Sequence, residues 1–427
     1  MVLVGGKCRI YELTVTRCDY ILTIGFFCES FQAWENAGEL VAVFSFSNGV
    51  CMSQDPGKAA DTGLRTAGEY TLREIARQPE LWPITNEGIR SVLNKRDLGK
   101  KLQNHRVLIT GAGTSAYASS AIAAAWPGAV AVPTTDLLVD AERYLDGVQV
   151  LISVARSGQS PESVAVVERV RSLRPDIFQL AIVCDPDSDL ARANVELVAL
   201  DPRTNDRSLV MTSAFSNLVL AGNALAQPDA VAAGVEKHSK RAAGLYTEID
   251  QVCRRVAERI DERIVVLSSS PLLGWAREAG LKTLEMTAGH YPVVTETFLG
   301  LRHGPMSFVK SDTLVLCLLA SEPVRRSYEI DLIAELRAKK IGYLVGIADP
   351  RETKGIFDEI IPAIAPHEDD ALRTPYEIIG PQLLGYHLSL NIGLNPDNPS
   401  PDGIINRVVR GVRIHHASPS KALTPAR

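Results

Sequence analysis

The stretch from Glu285 to Pro305 pairs a carboxylate with a histidine at loop distance, a combination suited to proton transfer on a small polar substrate. It is expected to begin on a helix ending near Gly289 and to close on Arg302-His303-Gly304-Pro305, where a Gly-Pro turn holds the histidine. Far upstream, two Ser-rich turns have the make-up of a phosphate grip: Gly111-Ala112-Gly113-Thr114-Ser115 and Ser157-Gly158-Gln159-Ser160-Pro161. In the second, Ser160 stands at an N-cap with Pro161 at the first helical position. The free N–H groups of that turn, the hydroxyls of Ser157 and Ser160 and the helix dipole would face an anion, and Gly158 lets the backbone come close.

Each feature has a plainer reading. Ser, Gly and Pro are what any strand-to-helix turn favours. Glu278, Lys282, Glu285 and Gly289 recur at i, i+4, i+7 and i+11, which on spacing alone is better explained by a solvated helix face laced with Glu–Lys pairs. His303 can equally cap or pack. Gly111-x-Gly-x-x-Ala116 also matches the loose dinucleotide fingerprint, with Asp136 as the ribose acid, so a nicotinamide-dependent oxidoreductase is an alternative. Against it, Thr114 and Ser115 put hydroxyls where one phosphate binds, and a second Ser-rich loop suits a compact monophosphate. His290, His303, His387 and His415-His416 lack the H-x-x-x-H or H-E-x-x-H spacing of a metal site, so no metal and no cofactor is expected.

The elements that must position these residues alternate regularly. Strands are expected at 106–110, 129–133, 148–154 and 178–184, with helices at 115–126, 161–173 and 211–226 between and after them. Thr71-Leu72-Arg73-Glu74 reads as the cap of an earlier helix that stops before Pro79, with Leu81-Trp82 as an apolar anchor. A charged helical stretch, 230–260, leads to a second series: strands at 263–268, 291–295, 313–320 and 343–348, with helices at 273–288 and 328–339. Strands alternating with helices of this length imply a parallel sheet covered on both faces, here twice over. The expected divisions are an extension 1–65, a first half 66–235, a helical linker 236–262, a second half 263–414 and a tail 415–427.

The chain of 427 residues has room for two or three domains. A hydrophobic share of 46%, a charged share of 22% and a net charge of −5 describe a soluble globular protein and argue against nucleic acid or an anionic membrane as partner. Cys184, Cys253 and Cys317 lie in apolar surroundings without C-x-x-C spacing, as buried thiols in a reducing compartment would, so the cytoplasm is the expected location. Residues 1 to about 60 carry four further cysteines and no clear period. Met52 opens a polar lead-in, so a start of translation there is expected, with a small metal-binding module as the alternative reading.

The ordered set Gly111-x-Gly-Thr-Ser, Arg156-Ser-Gly-x-Ser-Pro-Glu-Ser163, Lys282-x-x-Glu285 and Leu299-Gly-x-Arg-His-Gly-Pro305 resembles tandem SIS (sugar isomerase) domains. With Glu74-Ile-Ala-x-Gln-Pro79 and Gly393-Leu-Asn-Pro-Asp-Asn-Pro-Ser-Pro401, it is most similar to the galactosamine-6-phosphate deaminase/isomerase branch, also labelled tagatose-6-phosphate ketose/aldose isomerase. The resemblance covers about residues 66 to 414. It implies an α/β fold of two SIS domains, each a mostly parallel sheet flanked by helices in a flavodoxin-like three-layer sandwich. It implies that Thr114, Ser115, Ser157, Gly158, Gln159 and Ser160 bind the phosphate of an amino sugar. Glu285 would move a proton between C1 and C2, Lys282 would orient oxygens, and His303 would open the ring from the partner subunit of a homodimer or higher oligomer. The C-terminal tail would fold over the site, with Arg410 where the related synthase has a lysine; Ala155-Arg156 replaces that synthase's Ser-Gln. A plain aldose–ketose isomerase and a non-catalytic sugar-phosphate sensor are the alternatives on this scaffold.

Overall fold

The computed structural model describes residues 11–17, 20–26, 30–36, 39–45, 67–260, 262–400, 402–409 and 411–415, the first four segments as backbone only. Two units result, Met1–Leu64 and Arg65–Arg427. In the first, β1 (Tyr11–Arg17) pairs antiparallel with β2 (Tyr20–Phe26), and β3 (Ser30–Asn36) with β4 (Glu39–Ser45). Neither hairpin was legible from the hydrophobic period.

The second unit opens with α1 (Glu69–Ala76) and α2 (Gln78–Lys95). α1 starts at Glu69, two residues before the expected cap, behind Gly68 in left-handed backbone, and Thr71 does not cap it. The Thr71 hydroxyl instead donates to Asp397 at 2.8 Å and to Ser208 at 3.1 Å. This helix does end before Pro79, at Ala76, and helix resumes at once: α2 begins at Gln78, since a proline in a first turn loses no intrahelical bond. Leu81 and Trp82 are fully buried, as their apolar character requires.

After α3 (Leu98–Leu102), the chain runs β5 (Val107–Thr110), α4 (Thr114–Ala125), β6 (Val130–Ala131), α5 (Thr134–Val139), α6 (Ala141–Tyr144), β7 (Val150–Ala155), α7 (Pro161–Leu173), β8 (Phe178–Val183), β9 (Glu196–Ala199) and α8 (Ser213–Ala226). The five strands form one parallel sheet in the order β6-β5-β7-β8-β9. Every residue of β5 and β7 is buried, because helices cover both faces. Between β5 and β7 the strand order reverses, opening the crevice at the carboxyl ends where ligands of such sheets bind.

Most of the expected linker 236–262 is the C-terminal part of one long helix, α9 (Pro228–Ala257), and its last five residues lie beyond that helix. The second half repeats the plan: β10 (Ile264–Ser268), α10 (Leu273–Met286), β11 (Val293–Thr297), α11 (Phe298–Leu301), β12 (Leu314–Leu318), α12 (Pro323–Lys339), β13 (Tyr343–Ala348), β14 (Glu359–Pro362), α13 (Asp370–Glu377) and α14 (Ile379–Asn391), with sheet order β11-β10-β12-β13-β14. The edge strands β9 and β14 and the last two helices had no distinct pattern in the sequence. The fold class is the expected one: two parallel α/β sheets flanked by helices. Cys184, Cys253 and Cys317 are buried free thiols. Among the described residues no helix is long and apolar enough to cross a membrane.

The halves meet where α10 crosses α4. A Cβ added to Gly274 would stand 2.8 Å from the Ala121 nitrogen and 3.0 Å from the Tyr117 carbonyl, so only glycine permits this approach. Gly274→Ala is expected to cost about 1–3 kcal/mol in thermal or denaturant unfolding, because backbone must move apart. It should also lower activity, since this crossing carries α10 to the first-half crevice.

Candidate active site

Two turns flank the first-half crevice. The 111–115 turn leaves β5, and Gly111 packs so close to the Ser115 backbone that a Cβ there would sit 2.4 Å from its carbonyl oxygen. Gly113 at the N-cap has a φ of 56°, and α4 starts at Thr114. The 157–161 turn leaves β7, with Gly158 at φ 59° and its α-carbon against the Ser188 side chain. Ser157 Oγ accepts the Gln159 N–H at 3.3 Å. Ser160 occupies the N-cap position and Pro161 opens α7, as expected. However, the Ser160 hydroxyl makes no cap bond: it donates to Glu162 instead. Thr114 and Ser115 are buried, whereas Ser157, Gln159 and Ser160 are half-buried and line the open side.

The Glu–Lys face of α10 is not solvated. Glu278 and Lys282 are fully buried, and the Glu285 side chain is 26% exposed. Lys282 Nζ donates to Glu285 Oε2 at 2.5 Å and to Thr114 Oγ1 at 3.0 Å, and lies 3.2 Å from Glu278 Oε1. The Thr114 hydroxyl reaches Glu278 at 3.3 Å. One lysine from the second half thus ties the Glu285 carboxylate to a hydroxyl of the first. This is the decisive convergence of the chain: α10 delivers Glu285 to the rim of the crevice that holds both Ser-rich turns. Burial opposes the Lys282 charge, but Glu278 and Glu285 outweigh it and raise its pKa. Burial pushes Glu278 up to about 8 against the pull of Lys282.

Glu278 was counted on this face but assigned no task. Its raised pKa means that the folded protein holds a proton that the unfolded chain releases above about 4.5. Stability from this group is therefore present at low pH and is lost as pH rises toward about 8. Melting temperatures between pH 5 and 8 should fall less steeply in Glu278→Gln than in the unsubstituted protein.

The other expected residues are placed less centrally. His303 follows α11 in a turn and is exposed. Arg410 lies outside the described residues, but its neighbour Arg407 reaches the first half, donating to the Asp206 carbonyl at 3.0 Å and to Asn205 Oδ1 at 2.6 Å. Asp397, in the Gly393–Pro401 motif, accepts from Thr71 N at 2.7 Å and from Tyr70 N at 3.2 Å. The Glu74-Ile-Ala-x-Gln-Pro79 motif supports the same region from below: Glu74 accepts from Arg207 N at 2.6 Å, and burial with the nearby Asp206 charge raises its pKa to about 7.

The equivalent crevice of the second half is closed by the chain's own carboxylates. Glu322 caps α12 in the position of Ser160, accepting from Val324 N and Arg325 N. Glu329 takes Ala320 N at 2.7 Å, and Asp370 takes Ser321 N at 2.7 Å. With carboxylates already accepting from these backbone N–H groups, the donors that would hold an anion there are taken. Elsewhere Asp349, Glu352 and His367 converge, but Asp349 is already held by Arg351 at 2.7 Å and Glu352 by Arg326 at 2.9 Å, so the group reads as an ion-pair cluster.

No protein-family model matches the chain. It is 34% identical over 371 residues to the D-galactosamine-6-phosphate deaminase AgaS of Shewanella sp. strain ANA-3, covering 81% of this chain and 92% of the relative. It is 35% identical over 370 residues to the protein of the same name from Escherichia coli, covering 82% and 96%. The chain belongs to the galactosamine-6-phosphate deaminase AgaS family. Within the AgaS family's structural neighbourhood, the Escherichia coli tagatose-6-phosphate ketose/aldose isomerase superposes with a TM-score of 0.72 at 31% identity, over 82% of this chain and 97% of that one. The Thermotoga maritima glucosamine-6-phosphate deaminase shares the fold, with a TM-score of 0.60 at 22% identity over 80% and 99%.

Proposed function

We propose that this AgaS-family protein is an enzyme that converts an amino-sugar 6-phosphate, galactosamine 6-phosphate foremost, to the ketose 6-phosphate and ammonia. The observation that carries this reading is the Glu285–Lys282–Thr114 link, which puts a half-exposed carboxylate beside a crevice edged with serine hydroxyls. Thr114, Ser115 and the turn Ser157-Gly158-Gln159-Ser160 hold the phosphate, aided by the α4 and α7 N-termini. His303, exposed on its own chain, assists opening of the pyranose in a neighbouring copy of a homo-oligomer. Glu285 then removes the C2 proton to give an enolamine and returns a proton at C1. Water adds to the resulting C2 imine, the C–N bond breaks, and ammonia leaves with the ketose 6-phosphate behind. Lys282, cationic between two carboxylates, steadies oxygen charge during enolisation. None of these steps draws on a metal or redox cofactor. The described part of the C-terminal segment reaches the first half through Arg407, and the reaction belongs to cytoplasmic sugar-phosphate metabolism.

The experiment is direct: incubate the protein with galactosamine 6-phosphate and, separately, glucosamine 6-phosphate, and measure ammonia and ketose phosphate. Equal yields of both products, faster from the galacto epimer, support the reading. Ketose formation without ammonia from a neutral sugar phosphate would favour the plain isomerase, and neither product would overturn an enzymatic role on these substrates.

A further inference from the structure

Arg156 is the first residue after β7 and immediately precedes Ser157, at a point where a buried strand end has little use for a cation. Its side chain is nearly inaccessible, with the residue 6% exposed. The guanidinium donates to three backbone carbonyls: Ser208 at 3.2 Å, Leu209 at 3.0 Å and Arg407 at 2.6 Å. The first two belong to the loop after β9 and the third to the C-terminal segment, so one side chain joins three stretches of chain. All three partners are neutral. Among the described residues Arg156 makes no ion pair, although burying an unpaired cation costs several kcal/mol. Arg407, whose charge Arg156 feels, is likewise bonded to neutral oxygens, those of Asp206 and Asn205. The Asp206 carboxylate does not answer this charge in full. It already accepts from Thr212 N and Ala214 N at 2.8 Å each and from the Ser213 hydroxyl, with Arg77 at 3.5 Å. Glu285 also acts on Arg156 through space, without contact. The Arg156 and Arg407 guanidiniums, the first on the residue that precedes the Ser157–Ser160 turn, therefore meet only neutral oxygens in their direct hydrogen bonds.

We propose that Arg156 is a positioning residue for the reaction: its cation answers the substrate phosphate at the adjoining Ser157–Ser160 turn, while its N–H groups clasp the C-terminal segment to the 205–209 loop. This deepens, and rests on, the reading of that turn as the phosphate grip. Two functions are thereby joined in one side chain. A charge-assisted hold on phosphate needs a cation, whereas the clasp needs a planar fork that reaches several carbonyls at once, which lysine lacks.

The test uses the full chain with three substitutions, reading inhibition of ammonia release by inorganic phosphate, KM and kcat for galactosamine 6-phosphate, and trypsin cleavage after Arg407 by intact mass. Arg156→Gln should weaken phosphate inhibition and raise KM by roughly 10–100-fold, the range of a lost bond to a charged group, with a smaller change in kcat, and should expose Arg407 to trypsin. Arg156→Lys should keep phosphate inhibition close to that of the unsubstituted protein but still expose Arg407. A purely structural arginine would not separate the two readouts in this way. Unchanged phosphate inhibition and unchanged cleavage in Arg156→Gln would overturn the proposal; if that variant does not fold, protection of Arg407 in Arg156→Lys overturns it. Ser160→Ala serves as the control on the grip. If it leaves phosphate inhibition intact, the grip reading fails, whereas a weakened Ser160→Ala beside an unaffected Arg156→Gln sinks only the role given to Arg156.

Discussion

Glu285→Gln is expected to lower ammonia release by roughly 10³-fold, the order lost when a general base is removed, with substrate binding nearly unchanged. The amide keeps the size of the side chain and can still meet Lys282, which donates to Glu285 at 2.5 Å, but it takes no proton from carbon. Steady-state kinetics and isothermal titration with galactosamine 6-phosphate separate the two effects. Loss of binding in step with turnover would assign Glu285 to holding the sugar, and full turnover would remove it from the chemistry.

Lys282→Met is expected to be the most damaging single change to both stability and activity. Lys282 is fully buried with a carboxylate on either side, Glu278 at 3.2 Å and Glu285 at 2.5 Å. Methionine fills most of the volume but leaves the buried Glu278 without its cation, so above about pH 8, where that carboxyl ionises in the unsubstituted protein, the loss reaches about 3–5 kcal/mol, as for a buried pair broken from one side. Adding Glu278→Gln should recover most of that loss in denaturant unfolding above about pH 8, since no ionisable carboxyl is then left buried without a cation. Activity should stay lost in the double variant, because the Thr114–Lys282–Glu285 connection is gone. A double variant as unstable as Lys282→Met alone would contradict this account of the cluster.

The central strands β5, β7, β8, β10, β12 and β13 were legible because each is a short, mostly apolar run that burial on both faces keeps free of charged residues. Pro161 and Ser160 marked the start of α7 to the residue. What escaped was set by distant partners. Thr71 has the look of a cap, but Asp397, more than three hundred positions later, takes its hydroxyl and its N–H. The edge strands β9 and β14 are four residues each and half-buried, too short and too mixed for either period to show. Glu278, Lys282 and Glu285 carry the spacing of an ordinary charged helix face, and only the docking of α10 on α4 turns that face inward. Arg156 could be seen as an odd cation closing an apolar strand, yet its three carbonyl partners come from segments that no local pattern connects to it.

The central claim is spatial: first-half hydroxyls hold the phosphate end while a second-half carboxylate faces the sugar carbons. The measurement that tests it most directly is a crystal structure with the open-chain alditol of galactosamine 6-phosphate, which lacks the carbonyl needed to react. The account places the phosphate about 3 Å from the Ser157 and Ser160 hydroxyls and C2 within about 3.5 Å of the Glu285 carboxylate. A phosphate seated instead in the cavity of about 250 Å³ lined by Arg73, Arg77, Arg203 and Arg207, or a C2 out of reach of Glu285, would contradict it.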